Sequence, residues 1–398
     1  MSTRRQTLLA LLVLVSVLLL MAGGWWRYAN ETPVYSRPVA ALPSANAYDD
    51  YVAAAGLLSA DAPLPGRKDR TPQSARPRIL AANGPALQRL RRGFSHRYFN
   101  PPLASATQPL PELASFRRLA GLLVQEGKSA ETHGRLREAA GSYLDCLRLG
   151  SDAPLGGAMA HATTGVAIHE LALPPLYALV DRLDARSAGD ALERMRKLDA
   201  HALTFSQVLT GQRDEYLALV PALLKSPTAE QLGRSIGYGP DLRMSATYLL
   251  TPKRKVVEDL RRYMDASIQR SRAPFVSAGP QPQVPDDPLN QWLAPASDHA
   301  WCCWLERDAA WRVLEARLAI RIYQAGHGGR SPSSLSQLAP TVLPTVPVDP
   351  FVEQPLIYHP HSPEPRVYSR GPDGDDDGGR TLNWPRRGSD VATMRALR

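Results

Sequence analysis

One run of the chain, Leu8 to Trp26, is apolar throughout except for Ser16. At about 1.5 Å per residue, a helix of that length comes close to the roughly 30 Å hydrocarbon core of a bilayer. No other stretch is apolar over such a length, so the sequence is expected to cross a membrane once and not to form a polytopic bundle. Arg4 and Arg5 precede the run, and Trp25, Trp26 and Tyr28 follow it as an interfacial aromatic belt. The positive-inside rule assigns residues 1–28 to a cytoplasmic tip and transmembrane anchor, with everything beyond Arg27 outside. A cleaved signal peptide is the competing reading. Against it, the run exceeds the usual apolar core of about 7–15 residues, and Met21-Ala-Gly-Gly24 is a poor cleavage site. No Cys follows the run, which excludes a lipoprotein anchor.

The remaining residues must then fold outside the cytoplasm. With 398 residues, 44% of them apolar and 21% charged, the chain can build two or three domains and is not disordered throughout. Three cysteines rule out a disulfide scaffold. The net charge of +9 comes from 41 Arg and 6 Lys, scattered among acids on polar helix faces. A nucleic-acid protein would gather them on one face with interleaved aromatics, so no nucleic acid is expected as a partner.

Residues 29–45 hold Pro33, Pro38 and Pro43 and read as an extended tether. A helical body is expected over 46–271. Asn46 is placed to cap a helix whose Tyr48, Tyr51, Val52, Ala55 and Leu58 share one face. Residues 61–78 read as irregular, with a short helix near 84–92. Pro111 opens a helix that Gly127 should end, and a second helix is expected over 131–149. Further helices are expected near 157–180, 187–199, 203–224 and 253–270, with breaks at Pro174-Pro175, Pro221 and Pro252. The fold class is therefore mainly α, in antiparallel helical pairs. Gly134-Arg-Leu-Arg-Glu-Ala-Ala-Gly-Ser-Tyr143 resembles one tetratricopeptide half-repeat. Six prolines make 272–298 a linker or wrapping arm ahead of a C-terminal α+β module over 299–398.

That module has an ordered set of signals. An amphipathic helix over 300–325 stops at Gly326, Gly328 and Gly329. Then come a short helix Pro332-Ser-Ser-Leu-Ser-Gln-Leu-Ala-Pro340, Val348-Asp-Pro-Phe351, two short strands over Pro355–His359 and Arg366–Arg370, and Gly371-Pro-Asp-Gly-Asp-Asp-Asp-Gly-Gly379, with Asp390-Val391 downstream. The series resembles the C-terminal domain of the type II secretion major pseudopilin over about 305–395. The resemblance implies the order helix, Gly turn, Asp-Pro-aromatic turn and short strands, then a calcium-binding loop. In such a loop Asp373 would be the firmest ligand, with Asp375, Asp377 and Asp390 beside it. Residues 1–8 lack the pseudopilin peptidase motif, and the apolar run lies far upstream of the module. The resemblance therefore implies the module's fold and not a polymerising pilin subunit. The wider layout resembles membrane-anchored bacterial proteins that carry this module.

The loop's chemistry is arguable from its residues alone. Asp373, Asp375, Asp376 and Asp377 repel one another unless a cation or solvent screens them, and Ca²⁺ takes 6–8 oxygen ligands from flexible loops. An acidic solvated turn is the alternative. The EF-hand pattern fails, since Trp384 stands where its closing Glu belongs.

Elsewhere no catalytic constellation is legible. Trp301-Cys302-Cys303-Trp304 offers a vicinal disulfide, a pairing with Cys146, or simply small residues at a helix start. His161 and His169-Glu170 are spaced too far apart for one metal. Ser206, Thr210 and Ser245 have no nucleophile-elbow context, and Asp214-Glu215 beside Arg213 read as a solvated face. The expected function is a membrane-anchored interaction or assembly protein of the cell envelope with a structural calcium site and an envelope protein partner. An envelope hydrolase with its active site in the helical body is the alternative, and an accessory subunit of type II secretion a third.

Overall fold

The computed structural model describes residues 3–37, 41–62, 71–105, 108–225, 251–287, 290–291, 294, 297–360 and 365–379. Among them are eleven α-helices and one two-stranded sheet, so the protein is mainly helical with a single apolar helix at its N-terminus.

That helix, α1 (Thr3–Asn30), has the length and composition to cross a membrane over Leu8–Asn30, and its side chains from Leu8 to Trp26 are exposed. Leu8, Leu20 and Trp25 are 63%, 76% and 61% exposed. The following segment does not stand away from the body as a free tether. Tyr35 packs into an apolar cluster of the body, and Arg37 pairs with Glu215 at 2.9 Å and donates to the Gly156 carbonyl at 3.4 Å.

Asn46 caps α2 (Ala47–Gly56) as its sequence position predicts. Its Oδ1 accepts from the Tyr48 and Phe99 amides at 3.1 and 3.0 Å, and its Nδ2 donates to the Phe99 carbonyl at 2.7 Å. One side chain thus starts the helix and ties it to the chain at Phe99. The short helix expected near 84–92 is α4 (Gly84–Gly93), and a further short helix, α3 (Arg76–Ala82), precedes it and takes in the end of the stretch expected to be irregular. The Tyr51 ring stacks on Tyr98 and meets Phe94 and Phe116 edge-on. Its hydroxyl, buried with it, donates to Asp152 at 2.6 Å, and Arg148 Nε donates to the same carboxylate at 2.8 Å.

Helices α5 (Pro111–Thr132), α6 (Leu136–Asp152) and α7 (Met159–Leu179) pack as successive antiparallel hairpins. Gly127 does not end α5. It lies inside the helix because a Cβ there would come within 2.3 Å of the Tyr143 ring on α6. The turn is made instead around Gly134, whose φ of +72° suits a residue without a side chain. The same device recurs between α6 and α7, where a Cβ on Gly150 would strike His169 at 2.4 Å. Nor do the prolines break the later helices. Helix α7 runs through Pro174-Pro175, and α9 (Phe205–Leu223) runs through Pro221. Leu173, Leu176 and Leu179 are fully buried around the first pair, so packing holds the helix where the ring removes a backbone bond. Pro252 does mark a boundary, preceding α10 (Lys253–Arg270). Between α7 and α9 lies α8 (Ala185–Asp199), started by Asp184 accepting from the Ser187 amide at 2.6 Å.

The thirty residues of α11 (Ser297–Gly326) make a rod of about 45 Å. Its first half puts Trp301 and Trp304 into an apolar cluster with α9, α10 and the start of α7. Its second half puts Trp311, Leu314, Leu318 and Ile320 into the larger cluster with α5, α6, α7 and α8. The proline-rich arm is packed, with Phe275 meeting Trp301 and Phe351 edge-on. The core therefore continues across residue 299, and α11 is common to the body and to the hairpin unit described after it.

Candidate functional site

Strands β1 (Ile357–His359) and β2 (Arg366–Tyr368) pair antiparallel, with Tyr358 opposite Val367. Short and β-rich in Ile, Tyr and Val, they form a hairpin too small to stand alone. It leans on α11. Val367 and Tyr368 are fully buried, and Arg317 reaches from α11 to the Pro365 carbonyl at 2.6 Å while pairing with Asp181. Ahead of the hairpin, α11 ends in a Schellman-like turn, with the Gly329 amide donating to the Gln324 carbonyl at 2.8 Å and Gly328 and Gly329 at positive φ. Leu335 and Leu338 then bury one 3₁₀ turn against the core.

Asp349 is the residue that organises the end of this unit, and it is 1% exposed. Its Oδ1 accepts from the Phe351 amide and the Ser369 hydroxyl, both at 3.0 Å, and its Oδ2 accepts from the Arg370 amide at 2.7 Å. One buried carboxylate therefore joins the Asp-Pro-Phe turn to the chain leaving β2. The Ser369 hydroxyl passes the link on by accepting from the Gly371 amide at 3.0 Å. An Asp followed by Pro was the only local signal, and it points to a turn without saying what the carboxylate bonds.

From that fixed point the acidic loop runs into solvent. Asp373, Asp375 and Asp376 are exposed and Asp377 is half-buried. Asp373 Oδ1 accepts from the Asp375 amide at 3.2 Å, a local Asx turn. Asp376 is turned back on the hairpin. Its Oδ1 accepts from the Tyr368 hydroxyl at 2.8 Å and from the Gly378 amide at 3.0 Å. The Gly378 amide and the Tyr368 hydroxyl hold its carboxyl below the usual carboxylate range. The Tyr368 hydroxyl also lies 2.9 Å from His359 Nε2. Gly374, at φ +79°, sits where a Cβ would meet Val276 of the proline-rich arm at 3.1 Å. The loop is thus pinned at both ends, with Asp376 bonded back to the hairpin, Asp373 and Asp375 exposed and Asp377 half-buried. Asp390 lies outside the described residues. Among the described residues, no three His, Cys, Asp or Glu side chains stand close enough together to hold one metal ion. The donors are hard oxygens suited to Ca²⁺, and closing them on an ion would require the loop to draw together.

The remaining sequence candidates take structural positions. His161 caps its own helix, accepting from the Ala158 amide at 3.1 Å, and burial pushes its pKa down to about 4. His169 Nε2 bonds the Leu147 carbonyl at 2.9 Å, and burial pushes this ring down to about 3. Beside it, Ser151, Trp304 and Arg307 help line a cavity of about 10 Å³, room for the centre of one water molecule. Asp214 pairs with Arg213 at 2.7 Å, and the buried Glu215 with Arg37, burial raising the pKa of Glu215. Ser206 lies 3.0 Å from the capping hydroxyl of Thr204, and Thr210 donates to the Ser206 carbonyl at 2.7 Å. Ser245 is outside the described residues. No disulfide joins Cys146, Cys302 and Cys303, and Cys146 is fully buried between the Ala120 and Ile168 carbonyls.

Comparison with known proteins returned no matching family model, no matching curated sequence and no matching solved structure.

Proposed function

We propose that this chain is a single-pass, membrane-anchored protein of the bacterial envelope that works by interaction or assembly, carrying a pseudopilin-like unit stabilised by calcium. The bulk lies outside the cytoplasm, and the partner is another envelope protein. The observation that carries the reading is the Asp349 latch. It fixes the root of a loop in which Asp373 and Asp375 are exposed and Asp377 half-buried, carboxylates that repel one another until a cation arrives. The order of elements around it supports the same reading. A Gly-stopped helix, a Leu335/Leu338 turn, an Asp-Pro-Phe turn and a short hairpin lead to the acidic loop in the sequence that the pseudopilin resemblance implies. The exposed α1 supports the anchor.

Asp373, Asp375 and Asp377 would hold the ion, with Asp390 a further ligand carried over from the resemblance. Bound calcium would neutralise the loop and close it against Val276 and Val352. An ion that binds only the folded state stabilises by about 2.7 kcal/mol at a hundred times its Kd. The test is thermal unfolding of the detergent-solubilised full chain with millimolar CaCl₂ and with chelator. We expect a higher Tm in calcium, a smaller shift with Mg²⁺, and no shift in the Asp373→Ala, Asp375→Ala double variant. Equal melting of the wild-type chain in calcium and chelator would leave an ordinary acidic turn.

A further inference from the structure

The first turn of α10 carries Lys253, Arg254 and Lys255 in succession. Cations are disfavoured there, because the helix dipole places partial positive charge at its N-terminus. Over 253–262 the helix has five cations and two carboxylates, Glu258 and Asp259. Arg254 approaches Glu258 at 4.0 Å, and Lys255 and Arg262 both pair with Asp259, and the segment keeps a surplus of positive charge. Lys255 and Arg262 remain largely exposed.

The position of this turn supplies a reason for the charge. The Arg254 guanidinium stacks over the Tyr28 ring at 4.0 Å and donates to the Tyr28 carbonyl at 3.4 Å. Tyr28 closes the aromatic belt of α1, next to Trp25, Trp26 and the exposed Arg27. Tyr35 and the Arg37–Glu215 pair hold the chain after α1 onto the body, so α10 cannot swing away from the end of the apolar helix. A belt of Trp and Tyr sits at headgroup depth, and the first turn of α10 is held there with it.

We propose that the first turn of α10, with Arg27, is a docking surface for anionic phospholipid headgroups. This rests on α1 spanning the bilayer. Headgroup phosphates would offset both the clustered cations and the first-turn amides that no carbonyl of the helix accepts. The body would then lie against the membrane in one orientation, not swivel on its anchor. Each cation near such a surface is worth roughly a fivefold change in association.

The test places the full chain in vesicles of phosphatidylcholine alone and of phosphatidylcholine with 30% phosphatidylglycerol, and reads hydrogen exchange across 253–257. We expect exchange about fivefold or more slower in the anionic vesicles. The difference should disappear in 1 M NaCl and in the Lys253→Gln, Lys255→Gln variant. Inorganic phosphate added to the neutral vesicles should give no protection. Equal exchange in the two vesicles, or a slowing that survives high salt, would overturn the docking. Flotation separates this from the anchor reading: a chain that floats with both vesicles yet exchanges equally loses only the docking, whereas a chain that floats with neither loses the anchor and the docking together.

Discussion

Glu306 shows how far its surroundings move one carboxyl group. Burial first, and then the charge of Glu170, push its pKa up to about 8. In an unfolded chain the same group titrates near 4.3. Between those values the folded protein keeps a proton that the unfolded chain has lost, so this group favours folding less and less as pH rises towards 8. We expect Glu306→Gln to raise stability by about 2 kcal/mol at pH 8, a figure reduced for partial solvent screening, and to change little at pH 4.5. Urea unfolding of both proteins at the two pH values checks it, and an equal gain at both would refute the assignment. His161 and His169 work in the opposite sense. Their pKa values lie below the unfolded value, so their contribution is present above about pH 6.5 and fades as pH falls. Asp349 belongs to the same scale. Its position before a proline was legible, but its three donors come from residues up to 21 positions away, which no local pattern encodes.

At the scale of elements, a helix start is legible where one residue signals it. Asn46 and Pro111 act within one turn of themselves, so a local signal suffices. Gly127 misled because the same residue type serves two purposes, to adopt positive φ or to admit a neighbour, and only the Tyr143 ring decides which. Two substitutions separate the purposes. Gly127→Ala should destabilise by about 2–4 kcal/mol, since overpacking against Tyr143 outweighs the gain in helix propensity. Gly189→Ala, inside α8 with open space at its Cβ, should stabilise by about 0.5–1 kcal/mol. Chemical denaturation of the pair measures both signs, and a stabilised Gly127→Ala would mean the ring moves aside freely.

On the scale of the whole molecule, α11 decides how the parts cooperate. It contributes Trp301 and Trp304 to one apolar cluster and Trp311, Leu314 and Leu318 to the other, and the hairpin's Val367 lies in the latter. A module over 299–398 that shares its helix in this way should not melt by itself. We expect one calorimetric transition for the detergent-solubilised chain, with calorimetric and van't Hoff enthalpies equal; two resolved transitions would mean the C-terminal unit is independent. The amino-acid sequence by itself determined the apolar N-terminal helix, the helical character of the body, the Asn46 cap and the order of turns leading to the acidic loop. Each of those is written within a few residues, in apolar period, capping chemistry or turn geometry. Only the tertiary structure decided that α11 belongs to both clusters, that the tether and the proline-rich arm are packed down, and that Asp376 bonds the Tyr368 hydroxyl of the hairpin. The first two outcomes depend on contacts between residues tens to hundreds of positions apart, such as Arg37 with Glu215 and Arg254 with Tyr28, and burial against a distant partner leaves no periodic trace in either segment.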